Sequence, residues 1–208
     1  LTTLNEALIE LDEINLIAEL QQKGLLKMRF YMMVNSTAAN KKYFFEKGIY
    51  KDDFLNIRTF KYFADGALGS RGAWLLDDYT DAENHKGLAL LDEKSFEEDC
   101  KEYAKRGFQV ATHAIGDAAN RFVLETYAKA LVPNNDKRWR LEHAQIVDKK
   151  DMYLFEKYNI TPSIQATHAT SDMYWVEKRL GKKRLQNAYC FQELWQKNGF
   201  VAAGSDFP

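Results

Sequence analysis

The chain is short of several residue patterns that would decide its chemistry at once. It has two cysteines, Cys100 and Cys190, on separate helix-like segments with no C-x-x-C pair, so both are read as buried free thiols. That leaves the redox compartment open. There is no G-x-S-x-G and no dedicated histidine partner near Ser205, which removes a nucleophilic-serine hydrolase. Phosphate-loop and dinucleotide fingerprints are also missing. No run approaches the ~20 apolar residues of a membrane span, and the amino terminus lacks a signal-peptide layout. A cytoplasmic location, or export with a leader ahead of Leu1, both stay open. Charge of one sign is lacking too: 29 basic residues face 30 acidic ones, with no basic tract to mark a nucleic-acid or anionic-membrane partner. Low-complexity segments, internal repeats and interdomain linkers are absent.

What is present argues for a packed globule. The chain has 208 residues, 13% of them aromatic, enough to bury a substantial core, and 1–208 is read as one domain. Thr3-Leu4-Asn5-Glu6 has the form of a capping box, and Leu4, Leu8, Leu11, Ile14, Ile17 and Leu20 fall near helical spacing. Together they predict a helix ending at Gly24. Six strand-like runs follow, at 25–34, 57–65, 109–115, 139–144, 161–166 and 200–206. Helical patterns separate them. One begins at a capping box on Ser95-Phe96-Glu97-Glu98, one runs from a cap at Asp117 to about Leu131, and others are read near 148–158, 172–180 and 182–198. Residues 66–94 form a long glycine-containing connection of the kind used as a lid or binding loop. The alternation predicts a parallel α/β architecture. Six strands suit either an open doubly wound sheet or part of a barrel, and pattern alone leaves both standing.

Four polar residues sit near the ends of four of these strands: Lys61, His113, His143 and Asp206. His113 and His143 are 30 residues apart, about one strand-plus-helix unit, and Asp206 follows 63 residues later, about two. Polar groups capable of metal ligation at successive carboxyl strand ends are how a (β/α) barrel assembles an active site. Strand alternation places Ile57, Thr59, Lys61, Phe63 and Asp65 on one face, and Trp139, Leu141 and His143 on another shared face. A lone ammonium at Lys61 in so apolar a strand is costly, so it should be paired, neutral or chemically modified. Taken singly, each of the four has an ordinary structural explanation as a hydrogen-bonded histidine, a snorkelling lysine or a turn aspartate. Their matching positions favour a shared site.

The runs Lys61-Tyr62-Phe63-Ala64-Asp65-Gly66-Ala67-Leu68-Gly69-Ser70-Arg71, His113-Ala114-Ile115-Gly116-Asp117, Arg140-Leu141-Glu142-His143-Ala144-Gln145 and Gly204-Ser205-Asp206-Phe207-Pro208 resemble the amidohydrolase superfamily. Within it they resemble the branch that includes N-substituted formamide deformylases. The resemblance implies a (β/α)8 TIM barrel, present here as a partial barrel of strands three to eight without the first two. It also implies a centre of one or two divalent metals, usually zinc. By the same resemblance Lys61 is a carbamylated bridging ligand, His113 and His143 are imidazole ligands, and Asp206 is both ligand and proton carrier. The implied reaction is hydrolysis of a non-peptide carbon–nitrogen (amide) bond in a small-molecule substrate by a metal-activated water. His168 keeps the position of a family histidine in Gln165-Ala166-Thr167-His168, where the family commonly shows Gln-Pro-x-His. With Arg71 on the long loop it is a candidate substrate contact, while His85 is read as solvated loop. The family's H-x-H pair is absent, so its two histidines are expected upstream of Leu1, and the chain alone is expected to be nearly inactive and prone to associate through exposed strand edges. A metal-free barrel that binds a small ligand, or a metal-dependent esterase or lactonase, are the competing readings.

Overall fold

The computed structural model of the chain describes residues 1–207. Its strands lie in one sheet in the order β1-β2-β4-β5-β6-β7-β8, with β3 beside β4, and helices alternate with them as in a partial barrel. The elements fall into two compact units, Leu1–Tyr62 with Glu102–Ala111, and Phe63–Lys101 with Thr112 onward.

The first unit opens with a strand where the sequence predicts a helix. β1 (Thr3–Ile9) pairs in parallel with β2 (Arg29–Asn35), from Thr3 opposite Arg29 to Ile9 opposite Val34. The helix α1 (Leu11–Gln22) begins only after it, and the true capping box is Glu10 with Glu13, whose carboxylate accepts the Glu10 N–H at 2.9 Å. The spacing of Leu4, Leu8 and Leu11 mimics a helical stripe across the junction, but it spans a strand whose Leu8 is exposed while Ile9 is buried. The sheet therefore holds one parallel strand more than the six read from sequence. Gly24 does end the helical segment, in the left-handed conformation (φ +70°) that a Cβ disfavours.

After α2 (Ala38–Lys47) and the short β3 (Tyr50–Lys51) comes β4 (Leu55–Phe63). Its register on β2 slips by one residue: Met32 faces Ile57, but Met33 faces Thr59, leaving Arg58 as a bulge. In a parallel pair, partners in register share a face, so Thr59 and Lys61 lie with Met33 and Asn35, whereas Ile57 lies with Met32 on the other side. This corrects the strict alternation, which had placed Ile57 on the Lys61 face. Tyr31 hydrogen bonds to Thr59 and Gln109 on the Lys61 side. On the other side Phe60 stacks on Tyr103 at 4.5 Å within a cluster of Phe44, Phe45 and Phe108, and Tyr62 hydrogen bonds to Tyr103.

In the second unit the long connection after β4 is not a loose lid. Leu68, Ala73, Leu75 and Tyr79 are buried in a core of their own with Ile115, Ile146, Val176 and Leu180. Next along the chain are α3 (Glu93–Arg106) and β5 (Gln109–Ala114), each divided between the two units; the start of α3 is capped by Asp92, which accepts the Ser95 N–H at 2.9 Å, rather than by Ser95. Then come α4 (Asp117–Ala130) and β6 (Arg140–His143). The N-cap of α4 is Gly116, and Asp117 is its first helical residue. The helix α5 (Tyr153–Tyr158) is shorter than read, because Asp148 instead accepts the Lys150 N–H in a turn and pairs with Arg121. Beyond β7 (Thr161–Ile164) lie α6 (Ala166–Asp172), α7 (Val176–Leu185), α8 (Phe191–Asn198) and the short β8 (Ala202–Ala203). One predicted helix, 182–198, is two. It breaks at Asn187–Tyr189, where the backbone leaves helical pairing to bond to the segment after β6.

Candidate functional site

The site grows from the ends of β5 and β6. On β5, Thr112 and His113 face opposite sides, and Thr112 hydrogen bonds to Tyr127 of α4 at 2.7 Å. On β6, Trp139, just before the strand, packs edge-on against the same Tyr127, so strict alternation would turn His143 toward the helices as well. It does not go there. The backbone is left-handed at His143 (φ +76°) and Ala144 (φ +44°), and the imidazole meets His113 instead, ring centroids 4.5 Å apart. Left-handed non-glycine residues cost about 1–3 kcal/mol each and persist where the surroundings enforce them, commonly at functional sites.

Gln165 orients His143, and Asp65 anchors the turn that follows His113. Gln165, buried at the end of β7, presents Oε1 to His143 Nδ1 at 2.7 Å while its Nε2 faces the Ser163 carbonyl. That orientation makes Nδ1 the protonated nitrogen and leaves the lone pair of the ring on Nε2. Asp65, 1% exposed, accepts three backbone N–H groups, from Ile115 (3.0 Å), Gly116 (2.8 Å) and Trp74 (2.9 Å). Its Oδ1 also lies 3.4 Å from His113 Nε2, but without hydrogen-bond geometry, so that buried nitrogen has no hydrogen-bond partner among the described residues. The sequence signal for Asp65 was its place on the Lys61 face, at the last position of the 57–65 run and within the Lys61–Arg71 motif. Gln165 announced itself only as the first residue of the Gln-x-x-His pattern.

The rest of the HAIGD turn is explained by packing. Trp74 C=O accepts N–H groups from Ala118 and Ala119, capping α4, while Asp117 accepts the Leu76 N–H at 2.9 Å. A Cβ on Gly116 would stand 1.9 Å from the Trp74 carbonyl oxygen, which is why glycine is required there. Burial pushes the Asp117 carboxyl above its ordinary range despite those hydrogen bonds.

The other candidates are placed as follows. His168, on α6, has its ring 5.7 Å from that of His143 and its Nε2 3.9 Å from Asp206 Oδ2. The Asp206 side chain is about half exposed and its backbone is left-handed. The structure thus brings His113, His143, His168 and Asp206 into one chain of neighbours, with Asp65 and Gln165 behind them. Arg71 is engaged elsewhere: it forms a two-pronged pair with Asp81, both bonds 3.0 Å, and Asp81 also binds Arg179. His85 is not solvated loop, since it stacks on Tyr79 and its Nε2 bonds to the Arg71 carbonyl at 2.9 Å. Lys61 belongs to the first unit, where it is buried in the register row of Asn35. Pro208 lies outside the described residues.

Among the described residues, no three His, Cys, Asp or Glu side chains stand ready as a metal cluster. The donor chemistry nevertheless fits a divalent ion. Two imidazoles adjoin, one with its tautomer set by an outer amide, the other with a buried nitrogen lacking a hydrogen bond.

Comparison with known proteins agrees in fold and in sequence. The model of the amidohydrolase family matches residues 4–208. The chain is 31% identical over 202 residues to Protein LONG AFTER FAR-RED 3 of Arabidopsis thaliana, covering 96% of this chain and 35% of that protein. It is 32% identical over 185 residues to YtcJ of Bacillus subtilis, covering 89% of this chain and 34% of that one. It thus spans about a third of the length of these relatives. A solved structure titled as an uncharacterized metal-dependent hydrolase from Pyrococcus furiosus superposes with a TM-score of 0.86 at 25% identity, over 99% of this chain and 42% of that one.

Proposed function

The chain belongs to the amidohydrolase family, and on that premise we propose that it carries part of the active site of a metal-dependent hydrolase acting on a non-peptide amide bond. The observation that supports this most is the adjoining pair His113 and His143, with His143 carried toward His113 by left-handed backbone at the end of its strand. A divalent metal, zinc suiting imidazole and carboxylate donors best, would when bound supply a water acidified to a pKa of about 7 and a polarised substrate carbonyl. His113 and His143 would hold that ion through their imidazoles. Asp206 and Lys61, the lysine as a carbamate, are proposed as further ligands on the strength of the sequence resemblance.

The chain's own groups then divide the remaining work. Gln165 keeps His143 in the tautomer whose Nε2 can donate a lone pair. Asp206 takes the proton of the attacking water and passes it to the departing nitrogen, so that an amine and a carboxylic acid leave. Its half-exposed carboxylate beside His168 suits that traffic. His168 stands on the substrate side. A contact of Arg71 with an anionic substrate group would require its guanidinium to exchange Asp81 for the substrate.

N-substituted formamides are the first substrate class to test, with other amides, esters and lactones beside them, using zinc-supplied protein that contains this chain. Amide turnover that disappears in His113→Ala and in His143→Ala is the expected result. Ester or lactone turnover without amide turnover would overturn the assigned bond, and unchanged amide turnover in both variants would overturn the site.

A further inference from the structure

The segment that carries His168 has almost no apolar attachment: α6 buries none of its residues. A seven-residue helix without a buried face cannot hold a side chain in place by packing. Both of its ends are instead gripped by polar groups, and both grips trace to the turn after β6. At the amino end, Gln165 immediately precedes α6 and binds His143 Nδ1. At the carboxyl end, Asp172 Oδ2 accepts Gln145 Nε2 at 2.8 Å and the Tyr189 hydroxyl at 2.6 Å, while Ser171 donates to its Oδ1 at 2.9 Å.

Gln145 is 3% exposed and lies two residues after His143. Its side-chain amide also donates to the Tyr189 hydroxyl oxygen at 2.8 Å, and its backbone carbonyl accepts the Tyr189 N–H, closing a ring of hydrogen bonds. Tyr189 reaches this position through left-handed backbone (φ +54°) at the break between α7 and α8. Burial, with the adjacent Asp172 carboxylate, raises the Tyr189 pKa well above the ordinary phenol range, so the hydroxyl stays protonated and donates.

We infer that Gln145, Asp172 and Tyr189 form a clamp that positions His168 against His143. Together with Gln165 it fixes α6 at both ends to the one turn that carries His143. The three are positioning residues, and their link to catalysis rests on the proposed metal-dependent site. The clamp itself stands on geometry alone. It explains why Asp172 and Tyr189, far from His143 in sequence, converge on the residue two positions beyond it.

The test uses the chain itself, with histidine-ring NMR and amide hydrogen exchange. In Asp172→Ala, the His168 ring resonances should shift and α6 amides should exchange at least roughly tenfold faster, while β6 and α4 keep wild-type rates. Asp172→Asn, whose carbonyl oxygen can still accept from Gln145 and Tyr189, should restore most of the wild-type pattern. Tyr189→Phe removes a single hydroxyl and should give an intermediate effect confined to α6 and His168. Unchanged His168 resonances and α6 exchange in both Asp172→Ala and Tyr189→Phe would overturn the clamp. Should Asp172→Ala loosen the whole unit, Tyr189→Phe decides, and a loss spread over β6 and α4 in that variant also overturns it. Metal is not needed for any of these readings, so failure of the hydrolase proposal would show separately in metal content and turnover.

Discussion

Asp65→Ala should be among the most damaging substitutions in the second unit. The carboxylate is 1% exposed and is the shared acceptor of the Trp74, Ile115 and Gly116 N–H groups. Leaving a buried donor unpaired costs about 1–3 kcal/mol, so three of them, with some relief from water entering the vacated space, amount to about 3–6 kcal/mol. That is a large share of the ~5–15 kcal/mol by which a domain is stable. Asp65→Asn keeps one acceptor oxygen but turns an NH2 toward at least one of the same donors, so about 2–3 kcal/mol should be lost. Urea unfolding followed by tryptophan fluorescence gives the loss, and hydrogen exchange at the three amides localises it. A loss under about 1 kcal/mol for Asp65→Ala, with those amides still protected, would refute the assignment of Asp65 as the anchor of the turn after His113.

Gly116→Ala forces a Cβ to within 1.9 Å of the Trp74 carbonyl oxygen and should destabilise the unit by about 3 kcal/mol or more, read as a shift in the urea midpoint. Asp117 has its folded pKa raised by burial, so the folded chain binds its proton more readily than the unfolded chain. Its contribution to stability should therefore fall as pH rises from the ordinary carboxylate value through the raised one, and Asp117→Asn should flatten that part of the stability–pH curve. Gln165→Leu removes the acceptor that orients His143, and metal affinity measured by competition with a chelator should drop about 10–100-fold with the fold intact by circular dichroism.

How much of this was legible in the residues depends on the kind of signal. The α/β alternation, the strand ends at His113 and His143, and the helix stop at Gly24 follow from local periodicity and glycine chemistry, and the structure has them. Thr3–Ile9 carries a helical spacing although it is a strand, because two of its leucines continue the spacing of the helix behind it, and only pairing with β2 separates the two. The faces of β4 and β6 were misassigned for a related reason: alternation assumes an unbroken strand. A bulge at Arg58 reverses the side on which the following residues fall, and left-handed backbone at His143 takes its own ring off the Trp139 face. Asp65, Gln165 and the Asp172–Tyr189 pair escaped notice because their roles lie in partners between about 9 and 50 residues away in sequence, beyond any local pattern. The length of the 66–94 connection suggests a lid, yet its Leu68, Ala73, Leu75 and Tyr79 form a buried cluster with Ile115, Ile146 and α7.

The central claim is that His113 and His143 are turned toward each other to hold a divalent metal. Zinc content after dialysis, compared between the wild-type protein and the His113→Ala and His143→Ala variants, tests it most directly. Stoichiometric zinc in the wild type and its loss in both variants is the expected result, with Asp172→Asn retaining the metal. Equal zinc in all of them, or none in wild-type protein dialysed against excess zinc, would contradict the account.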